Sequence, residues 1–196
     1  AKFIKSLKNR YWSYRIIFIP ETIGAIAYCN LNEKKIKNVL FALMVNNVGG
    51  PGKISFKESF NNNHFINSLI KQVLNENRIK AKKYKFDIHG SDERQFSSQF
   101  FNINSASIHK DKYFEYKQYH TSADNLEFVK SKNLFKMLKL YQSLIIKIEN
   151  QIIFKTVKTK CEPMLSKYSL YPTLGGENVP GKKMNFIDTI LWLIFL

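Results

Sequence analysis

Strand-type and helix-type patterns alternate along this chain, and that alternation most narrows the folds it can adopt. Ser13-Tyr14-Arg15-Ile16-Ile17-Phe18-Ile19 is a β-branched and aromatic run stopped by Pro20, the pattern of a buried strand. Residues 22–30 suit a short helix, and the apolar stretch 38–45 reads as a second, central strand. After the Gly49-Gly50-Pro51-Gly52 turn, residues 53–56 suggest a short strand. Residues 63–77 then carry Phe65, Ile66, Leu69, Ile70, Val73 and Leu74 on one helical face. Residues 84–88 alternate as a strand should, 103–108 form another short strand, and 130–150 read as a long amphipathic helix with Leu134, Leu138, Tyr141, Leu144, Ile145 and Ile148 inward. At the start, Phe3, Ile4 and Leu7 have the spacing of the end of an amphipathic helix. Strand, helix, strand, helix, strand predicts an α/β fold, a three-layer α/β/α sandwich with helices on both faces of a mixed central sheet.

Composition bounds the rest. A chain of 196 residues with 44% hydrophobic side chains can bury a core, so residues 1–196 are expected to form one domain. The formal net charge of +16 suits nucleic acid, anionic lipid or a polyanionic substrate. The excess is mostly lysine spread along the chain, without arginines and aromatics clustered on one element, so no nucleic-acid partner is expected. Cys29 and Cys161 lie far apart and form no zinc-finger spacing, which points to free thiols in a reducing compartment. No export signal opens the sequence, and a cytoplasmic location is expected. The apolar stretch 184–196 is shorter than the roughly 20 residues that span a bilayer; no membrane partner is expected, and the stretch reads as leading into a further region. Residues 161–176, rich in Pro and Gly, read as an irregular excursion able to close over a site.

Three polar loops carry the chemistry. Glu21 follows a strand-type run and Pro20, where its carboxylate would be held over the sheet edge away from bulk water; it suits either a general base or a cap on the helix that follows. Asp92 follows Gly90-Ser91, a turn that lets a short carboxylate reach inward, with Glu93 and Arg94 beside it to orient it; the same Ser-Asp-Glu run also suits a helix N-cap. His120 lies in Tyr119-His120-Thr121-Ser122-Ala123-Asp124, and Asp124 could take its second ring proton as the partners of zinc-bound histidines do; a hydrogen-bonded surface histidine is the other reading. Glu, Asp and His on three loops are what zinc hydrolysis requires. His64, His89 and His109 lack that surrounding, although His89 lies three positions before Asp92.

Four ordered segments, Pro20-Glu21-Thr22-Ile23-Gly24-Ala25-Ile26-Ala27-Tyr28, Gly90-Ser91-Asp92-Glu93-Arg94-Gln95-Phe96, Tyr119-His120-Thr121-Ser122-Ala123-Asp124-Asn125-Leu126 and Cys161-Glu162-Pro163-Met164-Leu165, resemble the bacterial aminopeptidase-like domain family. That family is a branch of the di-zinc aminopeptidases often linked to surface-polysaccharide gene clusters. The resemblance implies a zinc-exopeptidase (phosphorylase/hydrolase-like) fold and hydrolysis of an N-terminal peptide or related amide bond by a metal-activated water. It matches Asp92 and His120 to metal ligands and Glu21 to the general base, or to a ligand, with one or two zinc ions. Glu93 and Tyr119 are the matching candidates for substrate binding, and the partner would be a peptide or amide-bearing small molecule.

Two departures from the family pattern bear on activity. Thr22 stands where dizinc aminopeptidases place a second acidic residue, and the family's first His ligand and bridging Asp have no match in residues 1–12. The sequence therefore reads as an interior fragment of a longer protein. The alternative to an enzyme is a catalytically inactive aminopeptidase-fold binding or scaffold module in polysaccharide assembly.

Overall fold

The computed structural model describes residues 1–151, together with Met164 and Lys167. Its elements in chain order are α1 (Lys2–Ser6), α2 (Ile23–Leu31), α3 (Glu33–Ile36), β1 (Phe41–Met44), β2 (Ser55–Lys57), α4 (Phe65–Glu76), β3 (Lys82–Tyr84), α5 (Glu93–Phe96), β4 (Asn104–His109) and α6 (Ser131–Glu149). The four strands form one mixed sheet in the order β1-β4-β2-β3, with β1 parallel to β4, β2 antiparallel to β4 and β3 parallel to β2.

Alternation along the strands separates the layers, because successive side chains point to opposite faces. Phe41 and Leu43 of β1, with Phe56, Ala106 and Ile108, join the core made by Ile66, Leu69, Ile70 and Val73 of α4 and Met137, Leu140, Leu144 and Ile148 of α6. Ala42 and Met44 pack on the other side, against Ala25 and Cys29 of α2, Ile36 of α3 and Phe96 of α5. Helices thus cover both faces, as the three-layer α/β/α reading expects. Tyr141 ties the first layer to the sheet by donating its hydroxyl to the Ile108 carbonyl at 2.8 Å.

α4 begins at His64, whose Nδ1 accepts the Ile66 N–H at 3.3 Å, so this histidine is a helix cap and burial holds its pKa below the ordinary value. Its buried stripe falls where the sequence periodicity puts it. In α6 the stripe is rotated: Met137, Leu140, Tyr141, Leu144 and Ile148 are buried, whereas Leu134 and Leu138 are 42% and 52% exposed. The helix is apolar over more than one stripe, and docking on the sheet selects which one faces in.

Three strand expectations are corrected. Residues 13–19 form no strand with any described segment, and Phe18 is 95% exposed, so the reading of this run as a buried strand is not met. Among the described residues β1 lies at the edge of the sheet, half-buried throughout, so residues 38–45 do not form a central strand. The strand expected at 84–88 is instead Lys82–Tyr84. β-propensity reports what a segment can do beside a neighbour; the neighbour itself is set by the fold. Among the described residues the buried interior strands are β4 and β2. Residues 161–163, 165, 166 and 168–196, with Cys161 and the apolar stretch, lie outside the described residues.

Candidate active site

The first two loops meet at one hydrogen bond. Asp92, 9% exposed, accepts the Thr22 N–H on Oδ1 at 2.8 Å. Asp92 occupies the N-cap position of α5 without capping it through its side chain. Its carboxylate serves the start of α2 instead, where exposed N–H groups and the helix dipole favour an anion. The same charge, second to burial, raises the pKa of the Cys29 thiol.

Thr22 adopts φ 62 and ψ −71, and the Ile23 N–H reaches back to the Glu21 carbonyl at 2.8 Å. These are the marks of a γ-turn of the rare, strained hand, unusual for a β-branched residue. The turn exposes Glu21 at the mouth of α2. The expectation that its carboxylate is held away from bulk water is therefore not met: the turn lifts the side chain out of the layer in which Ala25 and Cys29 are buried. Gly24 permits the turn, since a Cβ there would stand 2.8 Å from Pro20 Cδ and 2.9 Å from Ile19 Cβ.

Beneath the Asp92 loop lies a buried polar layer that the sequence reading missed. Ser55, Lys57, Ser105, Ser107 and His109, polar at alternate positions of β2 and β4, are all buried. Lys57, 1% exposed, donates to the His89 carbonyl at 2.7 Å, the Tyr113 hydroxyl at 2.9 Å and Asp87 Oδ1 at 3.2 Å. Tyr113 donates to the same His89 carbonyl at 3.2 Å. Lysine and tyrosine together hold residues 87–90, the segment that delivers Asp92. Gly90 is required there, because a Cβ would stand 2.5 Å from Lys57 Nζ, 2.9 Å from the Tyr113 hydroxyl and 3.0 Å from Glu93 Oε2.

Glu93 points into this layer. It is 1% exposed, its Oε1 accepts from Ser107 Oγ at 3.4 Å, and Oε2 has no partner among the described residues. His109 meets Ser107 Oγ through Nδ1 at 3.2 Å, its Nε2 also lacks a partner among the described residues, and burial, with Lys57 and Lys112 adding to it, pulls its pKa down to about 4. Tyr113 links the layer to the mouth of the site. Burial, then the charges of Glu93, Asp87, Tyr119 and Glu21, push its phenol far above the ordinary range. The alternation in Ser55-Phe56-Lys57 and Ser105-Ala106-Ser107-Ile108-His109 was the available signal, but it reads as a solvent-facing strand side when the covering α5 loop is not seen.

The third loop is separate in character. Burial, and then the charge of Glu21, raises the Tyr119 phenol pKa, and its ring stacks on His120 at 3.9 Å. His120 is exposed at φ 55, and Asp124 accepts a hydrogen bond from Tyr116 at 3.3 Å. The donors are of the kind zinc takes, but among the described residues no three His, Cys, Asp or Glu side chains converge on one ion. Glu21, Asp92, Glu93 and Tyr119 are brought to one neighbourhood; His120 stands at its edge.

The profile of one protein family matches residues 1–151, and its description is Domain of unknown function (DUF4910). The chain belongs to the DUF4910 family. A Clostridium acetobutylicum protein named as a polysaccharide biosynthesis protein with an aminopeptidase-like domain is 37% identical to this DUF4910 chain over 176 residues, which is 90% of this chain and 40% of the relative. A crystal structure from the same organism, titled as a peptidase, superposes with a TM-score of 0.72 at 35% identity, covering 84% of this chain and 39% of that one. The chain thus spans about 40% of the length of these relatives. An aminopeptidase from Aneurinibacillus sp. strain AM-1 matches with a TM-score of 0.55 at 16% identity, covering 69% of this chain and 33% of that one. The zinc aminopeptidase of Bacillus subtilis matches with a TM-score of 0.54 at 17% identity, covering 69% and 36%. The DUF4910 fold is therefore an aminopeptidase-type α/β fold. No helix among the described residues is long and apolar enough to cross a membrane.

Proposed function

We propose that this chain supplies part of the active site of a zinc-dependent aminopeptidase-like hydrolase that cleaves an N-terminal peptide or related amide bond. The observation that carries the reading is the Asp92–Thr22 hydrogen bond, which joins loops seventy residues apart and sets Glu21 beside a buried carboxylate. Glu21 takes a proton as general base, its exposure leaving it open to a water and a substrate. Asp92 and His120 contribute to metal binding, with further donors coming from outside the described residues. Tyr119 binds the substrate at the mouth of the site, and Glu93 favours its amine through negative charge from beneath the loop. Zinc, when bound, would polarise the scissile carbonyl and its attacking water.

A second reading, an inactive scaffold in surface-polysaccharide assembly, draws on Thr22 at the second acidic position and on the name of the Clostridium relative. Zinc titration of the complete gene product, beside its Asp92→Ala and His120→Ala variants, tests the first. Zinc binding weakened about tenfold or more in each variant, the loss of one ligand, supports it. Binding that is absent, or equal in all three, overturns it. Zinc binding without release of arylamine from aminoacyl-anilides by the complete gene product favours the scaffold.

A further inference from the structure

Where β4 ends and β2 and β3 begin, the mixed topology gathers positive charge. β2 and β3 run opposite to β4, so the residues leading into them, Lys53, Lys80 and Lys82, arrive beside Lys110 and Lys112, which follow β4. These five lysines line one cleft of about 380 Å³, against two carboxylates, Asp111 and Glu115. Both acids are engaged. Asp111 accepts the Gly52 N–H at 3.1 Å, and Glu115 takes Lys82 at 3.0 Å and the Tyr84 hydroxyl.

Three of the lysines are also occupied. Lys82 pairs with Glu115, Lys110 donates to Asn133 Oδ1 at 3.0 Å, and Lys112 stands 3.8 Å from Asp87 and 4.3 Å above the Tyr84 ring. Lys53 and Lys80 are exposed and have no ion pair or side-chain hydrogen bond to any described residue. Two ammonium groups with no described acidic partner on a cleft lined by Tyr84 and Tyr116 give it a positive potential that favours an anion. Ammonium groups suit phosphate as point charges with rotatable donors.

We infer that this cleft binds a small diphosphate-bearing ligand, with Lys53 and Lys80 as the principal contacts. A cleft of this volume matches a small ligand and not a long phosphate backbone. The inference is independent of the hydrolase reading, since none of the five lysines belongs to the Glu21–Asp92 site.

The probe is inorganic pyrophosphate, titrated calorimetrically into the chain, into Lys53→Gln/Lys80→Gln, and into Lys34→Gln/Lys35→Gln as a control with the same change in net charge. The expected result is saturable binding weakened about tenfold or more in the cleft variant, as for loss of a charge-assisted hydrogen bond, and less than about twofold in the control. No binding, or equal weakening in both variants, overturns the site. So does a single-stranded oligonucleotide that binds more tightly than pyrophosphate and is weakened equally by both variants, which assigns the charge to an extended polyanion. Circular dichroism of each variant guards against a folding defect.

Discussion

The Thr22 N–H and the Asp92 carboxylate are 2.8 Å apart, and this bond joins the start of α2 to the loop before α5. It satisfies a donor that the helix leaves open and gives a nearly buried carboxylate a partner. Asp92→Ala is expected to cost about 2 kcal/mol, the loss of a charged hydrogen bond with one group left unsatisfied. Asp92→Asn retains an acceptor and should cost less than half of that by urea denaturation. Equal losses in the two variants would remove the bond from the account of stability.

Thr22 carries the local strain. Thr22→Gly, which adopts φ 62 without a Cβ clash, should leave the fold intact and raise stability by up to about 1 kcal/mol despite the entropy glycine adds to the unfolded chain. Thr22→Pro removes the N–H and cannot reach that φ, so it should destabilise by about 3 kcal/mol. Thermal unfolding midpoints of the two variants, moving in opposite directions from wild type, are the check.

Gly90 and Lys57 form one unit. Gly90→Ala places a methyl 2.5 Å from a lysine nitrogen that several partners hold fixed, so the nitrogen has little room to yield. A loss of about 2 kcal/mol is expected. Lys57→Met should cost about 2 kcal/mol, because the His89 carbonyl and Tyr113 hydroxyl keep only the bond between them and Asp87 loses its buried ammonium partner. The double variant should fall short of the sum, since both changes disturb one contact. Strict additivity would show that the two residues act separately.

His109 sets a pH dependence. Its folded pKa of about 4 lies below the unfolded value near 6.5, so the unfolded chain binds the proton first. The contribution is fully present above about pH 6.5 and is lost as pH falls towards 4, by about 3 kcal/mol. Lys57 and Lys112 reinforce the shift and Glu115 opposes it. Glu58 and His64 also have lowered folded pKa values, so some acid sensitivity will persist. His109→Leu should flatten the stability profile between about pH 6.5 and 4.5 in urea titrations; a wild-type slope retained in that variant would locate the acid sensitivity elsewhere.

Much of the fold was legible because it rests on local chemistry. The apolar face of α4, the strand character of Ser105 to Ile108 and the turn at Gly49 to Gly52 follow from side-chain spacing and backbone preference, which a sequence displays directly. Glu21, Asp92, Glu93 and Tyr119 were legible as polar positions in loops, and the structure brings those loops together. Lys57, Ser107, His109 and Tyr113 were not, because whether a polar strand face meets water or a covering loop depends on residues far along the chain. For the same reason residues 13–19 looked like a strand: hydrogen-bonding partners belong to the tertiary structure. The sequence by itself determined the alternating elements, the apolar helix face and the identity of the loop carboxylates. Only the tertiary structure decided which strand became central, which stripe of α6 turned inward and where the lysines before β2 and β3 met those after β4, since each depends on pairing segments that local forces leave apart.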